Sequence, residues 1–352
     1  MILFSPKRNH NKANKKDVLV TKKEMVLITG ANGLLGANVV ALLSKSKEFV
    51  PRAMVRSNAN LLSLEGVNCE LFEGDITNPE DVNMALEGCS YIIHCAARTS
   101  QYPSSFEHYR EVNINSTRLL LEAGRLNGVK RMVFVSSTNC FTNGSLQEPG
   151  TEEGGFMPWL KASGYAFSKF LAQQEVLIYG ERYHFPVIVV APGFLVGARD
   201  AKPSSGKMIL YILKNRIVFC PPGGKSFVDA EIAAQAAVNA LCKGKTGHKY
   251  LLAGENMTLY EFFKLVSRLS GKRRLVIPLP MIFFKSIAIA FELLEKFTGI
   301  PFPLNTTQQK LLCLDNYFSN YMAKKELDMK STKVDIAIKK SMDWFKRYGY
   351  IN

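Results

Sequence analysis

Thr29-Gly30-Ala31-Asn32-Gly33-Leu34-Leu35-Gly36 follows the apolar run 25–28 and opens into the helical pattern 34–43. A strand, a glycine loop and a helix in that order describe a nucleotide site. Gly30 can take the tight backbone angles of the turn, Gly33 lets the main chain approach a pyrophosphate, and Gly36 lets the helix pack close to its strand. Free N–H groups and the helix dipole then face the phosphates. Asn32 and Leu34, inside the same loop, are counted with the three glycines as cofactor-binding positions.

Outward from that loop, β-rich runs at 50–55, 69–72, 91–94, 132–135 and 187–190 alternate with helical patterns. Such alternation predicts right-handed crossovers and an α/β fold, a doubly wound parallel sheet with helices on both faces. After Pro192 the pattern loosens into pieces such as Lys202-Pro203 and Pro221-Pro222-Gly223-Gly224, interleaved with helical stretches at 231–241 and 258–269. Loops beyond the carboxyl ends of the strands build substrate pockets in such folds, so a smaller C-terminal cap is expected. The expected division is a basic tail over 1–23, a dinucleotide-binding domain over 24–190 and a mainly substrate-binding region over 191–352, with some segments returning to the core.

Composition fits this reading. The 352 residues, 47% of them hydrophobic, can bury a sizeable core. Seven scattered cysteines form no close pair, which suggests neither a disulfide framework nor a zinc site and points to reducing cytosol. The net charge is +15, and Lys7, Arg8, Lys12, Lys15, Lys16, Lys22 and Lys23 crowd the first 23 positions. With no aromatic residues interleaved, they read as a solvated tail rather than a nucleic-acid arm. No export signal is expected from the apolar stretch 1–4. The apolar stretch 281–294, broken by Lys285, Ser286 and Glu292, falls short of a membrane span. It reads as a packed helix of the cap, with a peripheral membrane helix as the alternative.

Two further patterns carry chemistry. An acidic residue about 20 positions past the glycine loop holds the ribose hydroxyls of NAD. Arg56 stands there instead, and a guanidinium suits a 2′-phosphate, so NADP is expected, with NAD as the alternative. Tyr165-Ala166-Phe167-Ser168-Lys169 places a phenol and an ammonium one helical turn apart, where the cation can favour the phenolate. A tyrosine of pKa near 10 must fall by about three units to exchange protons at neutral pH, roughly 4 kcal/mol between its protonation states. Tyr260 with Lys264 and Tyr321 with Lys325 share the spacing. Tyr165 is preferred because Ser136-Ser137-Thr138 ends the strand just upstream and brings hydroxyls to the same sheet edge. His94, beside Cys95, has no further ligands at metal spacing and reads as packing.

With these motifs in order, the sequence resembles the extended short-chain dehydrogenases/reductases, in the branch that groups dihydroflavonol reductase-like proteins with NAD-dependent epimerases and dehydratases. The resemblance runs from about Met25 to about Pro280. It implies that Gly30, Gly33 and Gly36 form the cofactor loop and that Asp75 and Ile76 stand beside the adenine. It also implies that Ala96 and Ala97 pass the cofactor, that Asn113 is the structural asparagine and that Pro192-Gly193 turn beside the nicotinamide. Tyr165 and Lys169 match the catalytic pair. The catalytic hydroxyl is matched by Ser137, three residues before Cys140, with Thr138 the runner-up.

Departures narrow the activity. Thr138-Asn139 replace the Asp-Glu pair of dehydratases, Ala191 replaces an arginine before the proline turn, and Ser116 replaces a glycine in the Asn113 motif. The expected activity is reduction of a small-molecule carbonyl, or the reverse oxidation, by hydride transfer. Ser137 holds the oxygen, Tyr165 gives the proton, Lys169 binds the nicotinamide ribose and Asn113 supports a water relay. A nucleotide-sugar epimerase, with the loop Arg199-Asp200-Ala201-Lys202 meeting a diphosphate, is the alternative, and a non-catalytic dinucleotide sensor is a third reading. Specificity is expected in loops after Phe141, around Trp159 and beyond Phe194. The apolar faces of helices at 104–126 and 165–178 suit packing within a subunit or in a homodimer.

Overall fold

The computed structural model describes residues 23–100, 106–298 and 306–351. The basic tail therefore lies outside the described residues, apart from Lys23. The first half alternates as its sequence pattern requires. Strand β1 (Glu24–Thr29) leads to α1 (Leu34–Leu43), β2 (Phe49–Val55), β3 (Glu70–Glu73), α2 (Pro79–Leu86) and β4 (Cys89–His94). Asn78 starts α2 by accepting the Glu80 and Asp81 amides, with Pro79 in the first turn. A continuous helical run follows: α3 (Glu107–Tyr109), a π-helical stretch (Arg110–Asn115) and α4 (Ser116–Leu126). Then come β5 (Arg131–Val135), α5 (Gly164–Tyr183) and β6 (Val187–Pro192).

The second half contributes β7 (Phe194–Val196), α6 (Gly206–Lys214), β8 (Ile217–Cys220), β9 (Gly224–Asp229), α7 (Ala230–Lys243), β10 (Lys249–Leu252) and β11 (Glu255–Thr258). After these come α8 (Leu259–Leu269), β12 (Leu275–Pro278), α9 (Met281–Thr298), α10 (Thr306–Cys313), β13 (Asp315–Asn316), α11 (Tyr321–Leu327) and α12 (Val334–Arg347).

Seven strands form one parallel sheet in the order β10-β6-β5-β4-β1-β2-β3. Its central strands are apolar on both faces because both are covered: Val26, Leu27 and Ile28 of β1 are fully buried. One face packs on α1 and the alanine-rich α7, the other on α2, α4 and α5. The strand order reverses between β1 and β4, which opens a crevice at the carboxyl edge.

Beyond that edge, β9 lies between β11 and β13 and also pairs with β7, while β8 and β12 form a separate parallel ribbon. Phe227 of β9 stacks on Phe262 of α8 at 4.1 Å, in a core that also holds Trp344 and Phe345. One expectation for this region is corrected. The stretch 281–294, read as a packed helix, forms α9, where Phe284 is buried but Ile282, Phe283, Ile287, Ile289, Leu293 and Leu294 stand exposed.

Candidate active site

The carboxyl ends of β1, β2, β4, β5 and β6 bring Gly30, Arg56, Ala96, Ser137 and Gly193 to one edge of the sheet. Gly30 has φ +65, and a Cβ there would lie 2.7 Å from the Ala96 backbone. A Cβ on Gly36 would meet the Gly30 carbonyl at 2.3 Å, so these two glycines are required by the protein's own packing. Gly33 differs: a Cβ there meets only that same carbonyl, at 3.3 Å. Gly33 enters α1 with extended backbone, no side chain caps the helix, and no acidic residue stands in its first turn. Unclaimed N–H groups beside open space are what a pyrophosphate needs, so the loop fits a dinucleotide.

The rest of the expected cofactor wall lies around this loop. Leu34 is buried, the Asn32 side-chain amide donates to the Asn60 carbonyl at 3.2 Å, and Ser63 donates to the Asn32 carbonyl at 2.9 Å. Arg56 is exposed just past β2, and no ion pair holds it among the described residues. Asp75 accepts both the amide and the hydroxyl of Thr77 at 2.8 Å, while Ile76 packs into the core. Ala96 and Ala97 are half-buried. A Cβ on Gly193, after Pro192, would come 2.5 Å from the Ser226 carbonyl, which makes this turn another enforced close approach.

Tyr165 and Lys169 lie in the first turns of α5, which Ser163 caps by accepting the Ala166 amide at 3.3 Å. The Tyr165 phenol lies beside the Ser137 hydroxyl, which favours its ionised form. Ser137 also accepts the Asn139 amide at 3.2 Å, whereas neighbouring Ser136 donates to Gln173 at 2.6 Å and is turned into the core. The strand end therefore sorts its two serines.

Lys169 departs from expectation. Its ammonium donates to the Val135 carbonyl at 2.6 Å and lies 4.2 Å from the centre of the Phe134 ring. Burial pushes it down to about 8, and burial pushes the Tyr165 phenol up to about 12. In the protein alone, then, Lys169 does not prime Tyr165, because it is spent on the backbone one strand end away. The two other Tyr–Lys pairs sit on the surface, where Lys264 and Lys325 lie over the rings of exposed Tyr260 and Tyr321.

Asn113 is also more committed than a water-relay role requires. Its Oδ1 accepts the Arg98 amide at 2.7 Å, and its Nδ2 donates to Ser168 Oγ at 2.8 Å and to the Arg98 carbonyl at 3.3 Å. Ser168 in turn donates to the Tyr165 carbonyl at 2.9 Å. Asn113 thus joins the segment after β4 to the tyrosine helix.

Sequence reasoning missed the other half of this network. His94, fully buried, contacts Thr29 Oγ1 through Nδ1 at 2.6 Å and Thr117 Oγ1 through Nε2 at 3.0 Å. Thr117 donates to the Asn113 carbonyl at 2.9 Å, so it must accept from Nε2–H, which leaves Nδ1 to accept from Thr29. Thr29 is then free to accept the Ala96 amide at 3.3 Å. Burial pushes His94 down to about 3, aided by the charge of Lys169, which keeps the ring neutral. No cluster that could hold a metal ion occurs among the described residues.

The crevice, the strand-end hydroxyls and the glycine loop agree with a family model described as the NAD dependent epimerase/dehydratase family, which matches residues 26–253. The chain belongs to that family. It is an enzyme of the extended short-chain dehydrogenase type, in a family described as NAD-dependent whose members include oxidoreductases, epimerases and dehydratases. "Sterol demethylase protein B" of Methylococcus capsulatus is 28% identical, covering 92% of this chain and 99% of its own. A "putative dihydroflavonol 4-reductase" of Synechocystis is 25% identical, covering 94% and 97%. The crystal structure of gox2253 superposes with a TM-score of 0.82 at 28% identity, covering 94% of this chain and all of its own.

The loop 199–202 shows how the family frame is filled locally. Arg199 donates to the Ser63 carbonyl at 2.7 Å, and buried Asp200 accepts the Ser204 and Gly206 amides at the start of α6. Arg199 and Asp200 are thus bound within the protein, which leaves exposed Lys202 as the charge this loop turns to solvent.

Proposed function

We propose that the protein reduces a carbonyl of a small molecule, or oxidises the corresponding alcohol, with NADP preferred over NAD. The observation that carries this reading is the Tyr165 phenol beside the Ser137 hydroxyl at the carboxyl end of β5, one helical turn from buried Lys169. The glycine loop and the α1 N-terminus would hold the pyrophosphate, and Arg56 would meet a 2′-phosphate. When bound, the reduced nicotinamide supplies the hydride.

Ser137 holds the carbonyl oxygen by a hydrogen bond, and Tyr165 donates the proton that the oxygen gains as the carbon accepts the hydride. Lys169 would exchange the Val135 carbonyl for the nicotinamide ribose, where its charge stabilises the phenolate left behind. Asn113 acts as a positioning residue by tying the helix of Tyr165 to the segment that passes the cofactor. The dihydroflavonol reductase relative and Arg56 support the reductase over the epimerase reading, and Thr138-Asn139 after the catalytic hydroxyl weigh against a dehydratase.

The test is NADPH consumption over a panel of carbonyls. Tyr165→Phe is expected to lower kcat by about 10²- to 10⁴-fold while NADPH still raises the melting temperature. Arg56→Asp is expected to weaken NADPH binding by about 10- to 100-fold and to spare NADH. Unchanged turnover in Tyr165→Phe defeats the assignment, and an NAD that recycles without net consumption favours the epimerase.

A further inference from the structure

We propose that the outer face of the β8–β12 ribbon, together with α9, docks on the surface of an anionic lipid bilayer. The ribbon's register sets Leu275 beside Ile217 and Ile277 beside Phe219. Ile217, Phe219 and Leu275 are exposed, while Val218, Cys220 and Val276 on the other face are buried. The Tyr211 hydroxyl accepts the Phe219 amide at 3.0 Å, which adds an exposed ring to the same face. Leu279 and Pro280 then lead directly from the ribbon into α9.

On α9 the usual polarity is reversed. At about 100° per residue, Ile282, Phe283, Ile287, Ile289, Leu293, Leu294 and Phe297 share an arc of roughly 160°. All seven are exposed, Ile282 by 72% and Phe297 by 86%. Only Ser286 and Ala290 fall between them, and the Ser286 hydroxyl is spent on the Ile282 carbonyl at 3.0 Å. The helix is anchored on the other side by buried Phe284. A continuous apolar face of this size needs a cover.

Charge selects the cover. Across α6, β8, α8, β12 and the turns leading into the two strands, Lys214, Arg216, Lys264, Arg268, Lys272 and Arg273 are exposed. The single acid on these elements, Glu261, is held in the capping box with Thr258, and α9 itself is charge-balanced, with Lys285 and Lys296 against Glu292 and Glu295. A second copy seated symmetrically on this face would press these cations against themselves. An anionic bilayer takes the apolar arc below its headgroups and pairs the basic fringe with them. No helix of the described residues is long and apolar enough to cross a membrane, so the contact is peripheral.

The experiment is sedimentation of the full chain with phosphatidylcholine vesicles, with and without phosphatidylglycerol. Binding is expected only with the anionic lipid. Ile282→Glu with Phe283→Glu is expected to cut the bound fraction at least about tenfold, and Lys272→Glu with Arg273→Glu by about fivefold or more for each charge. Both variants should keep the wild-type melting temperature and its rise with NADPH. Three results overturn the proposal: no sedimentation with anionic vesicles, sedimentation indifferent to both double variants, or a change of oligomeric state in the α9 variant with no change in vesicle binding.

Discussion

His94 is the residue that most connects the two halves of the site. Its ring joins Thr29, at the mouth of the glycine loop, to Thr117 and through it to Asn113, whose amide reaches the tyrosine helix. The chain of donors works in one direction only if the ring is neutral, and burial ensures that it is. The unfolded chain protonates this histidine near 6.5, whereas the folded protein resists down to about 3. Between those values the unfolded state holds the extra proton, so stability rises with pH through the window and is lost as pH falls across it. One proton gives a slope of at most about 1.4 kcal/mol per pH unit. His94→Gln, which cannot titrate, is expected to flatten the acid limb of urea-unfolding stability relative to wild type and to cost about 1–3 kcal/mol at neutral pH. An equally steep limb in the variant would remove His94 from that role. The sequence showed His94 as a packed strand residue and no more, because Thr29 and Thr117 lie 65 and 23 positions away and meet it only across the fold. Tyr165, Lys169 and Ser137 could be singled out as candidates in sequence because the Tyr–Lys spacing is local and Ser137 ends the strand just upstream; that Lys169 rests on the Val135 carbonyl could not be read there.

At the scale of elements, the glycine loop divides into glycines the fold needs and one it does not. Gly36→Ala drives a Cβ to 2.3 Å from the Gly30 carbonyl and must push α1 off β1. Gly33→Ala needs the same carbonyl to give by only a few tenths of an ångström, yet it fills the space beside the uncapped N-terminus of α1. Gly36→Ala is therefore expected to lower the melting temperature without ligand, by the several degrees that about 1–3 kcal/mol of overpacking implies. Gly33→Ala is expected to leave it nearly unchanged while weakening NADPH binding about tenfold or more. Calorimetry with and without NADPH separates the two, and equal losses of apo stability would refute the division. The six strands expected across the first half are all present, since apolar runs between helical patterns leave a buried parallel sheet little alternative. The second half was less legible. The pairing of β9 with β7, β11 and β13 joins short strands far apart in sequence, and the π-helical stretch that carries Asn113 reads in sequence as ordinary helix. The exposure of α9 was hidden because an apolar pattern reports what a helix can bury, not what surrounds it.

For the molecule as a whole, the segment 306–318 brings the reacting edge of the sheet and the apolar α9 into one region. Helix α10 touches α9, and Lys310 at its outer side lies 4.2 Å above the ring of Trp159, six residues before Tyr165. The Gly144 and Gly150 amides, in the loop that follows Ser137, both donate to the Tyr317 carbonyl, at 3.1 and 3.0 Å. The rim of the crevice is thus tied to the chain that leaves the proposed bilayer face. A protein seated through α9 would meet a carbonyl compound dissolved in the lipid at a local concentration far above its aqueous one, whereas a water-soluble carbonyl would gain nothing from the surface. Anionic vesicles are therefore expected to lower the apparent KM of the wild type for a bilayer-dissolved carbonyl by about tenfold, with kcat unchanged. Ile282→Glu with Phe283→Glu should abolish that gain and leave the turnover of a soluble carbonyl as it was, because neither position touches the site. NADPH oxidation measured on the two substrates, with and without vesicles, decides the matter. If vesicles raise the apparent KM for wild type and variant alike, the lipid merely sequesters the substrate, and the crevice is fed from water.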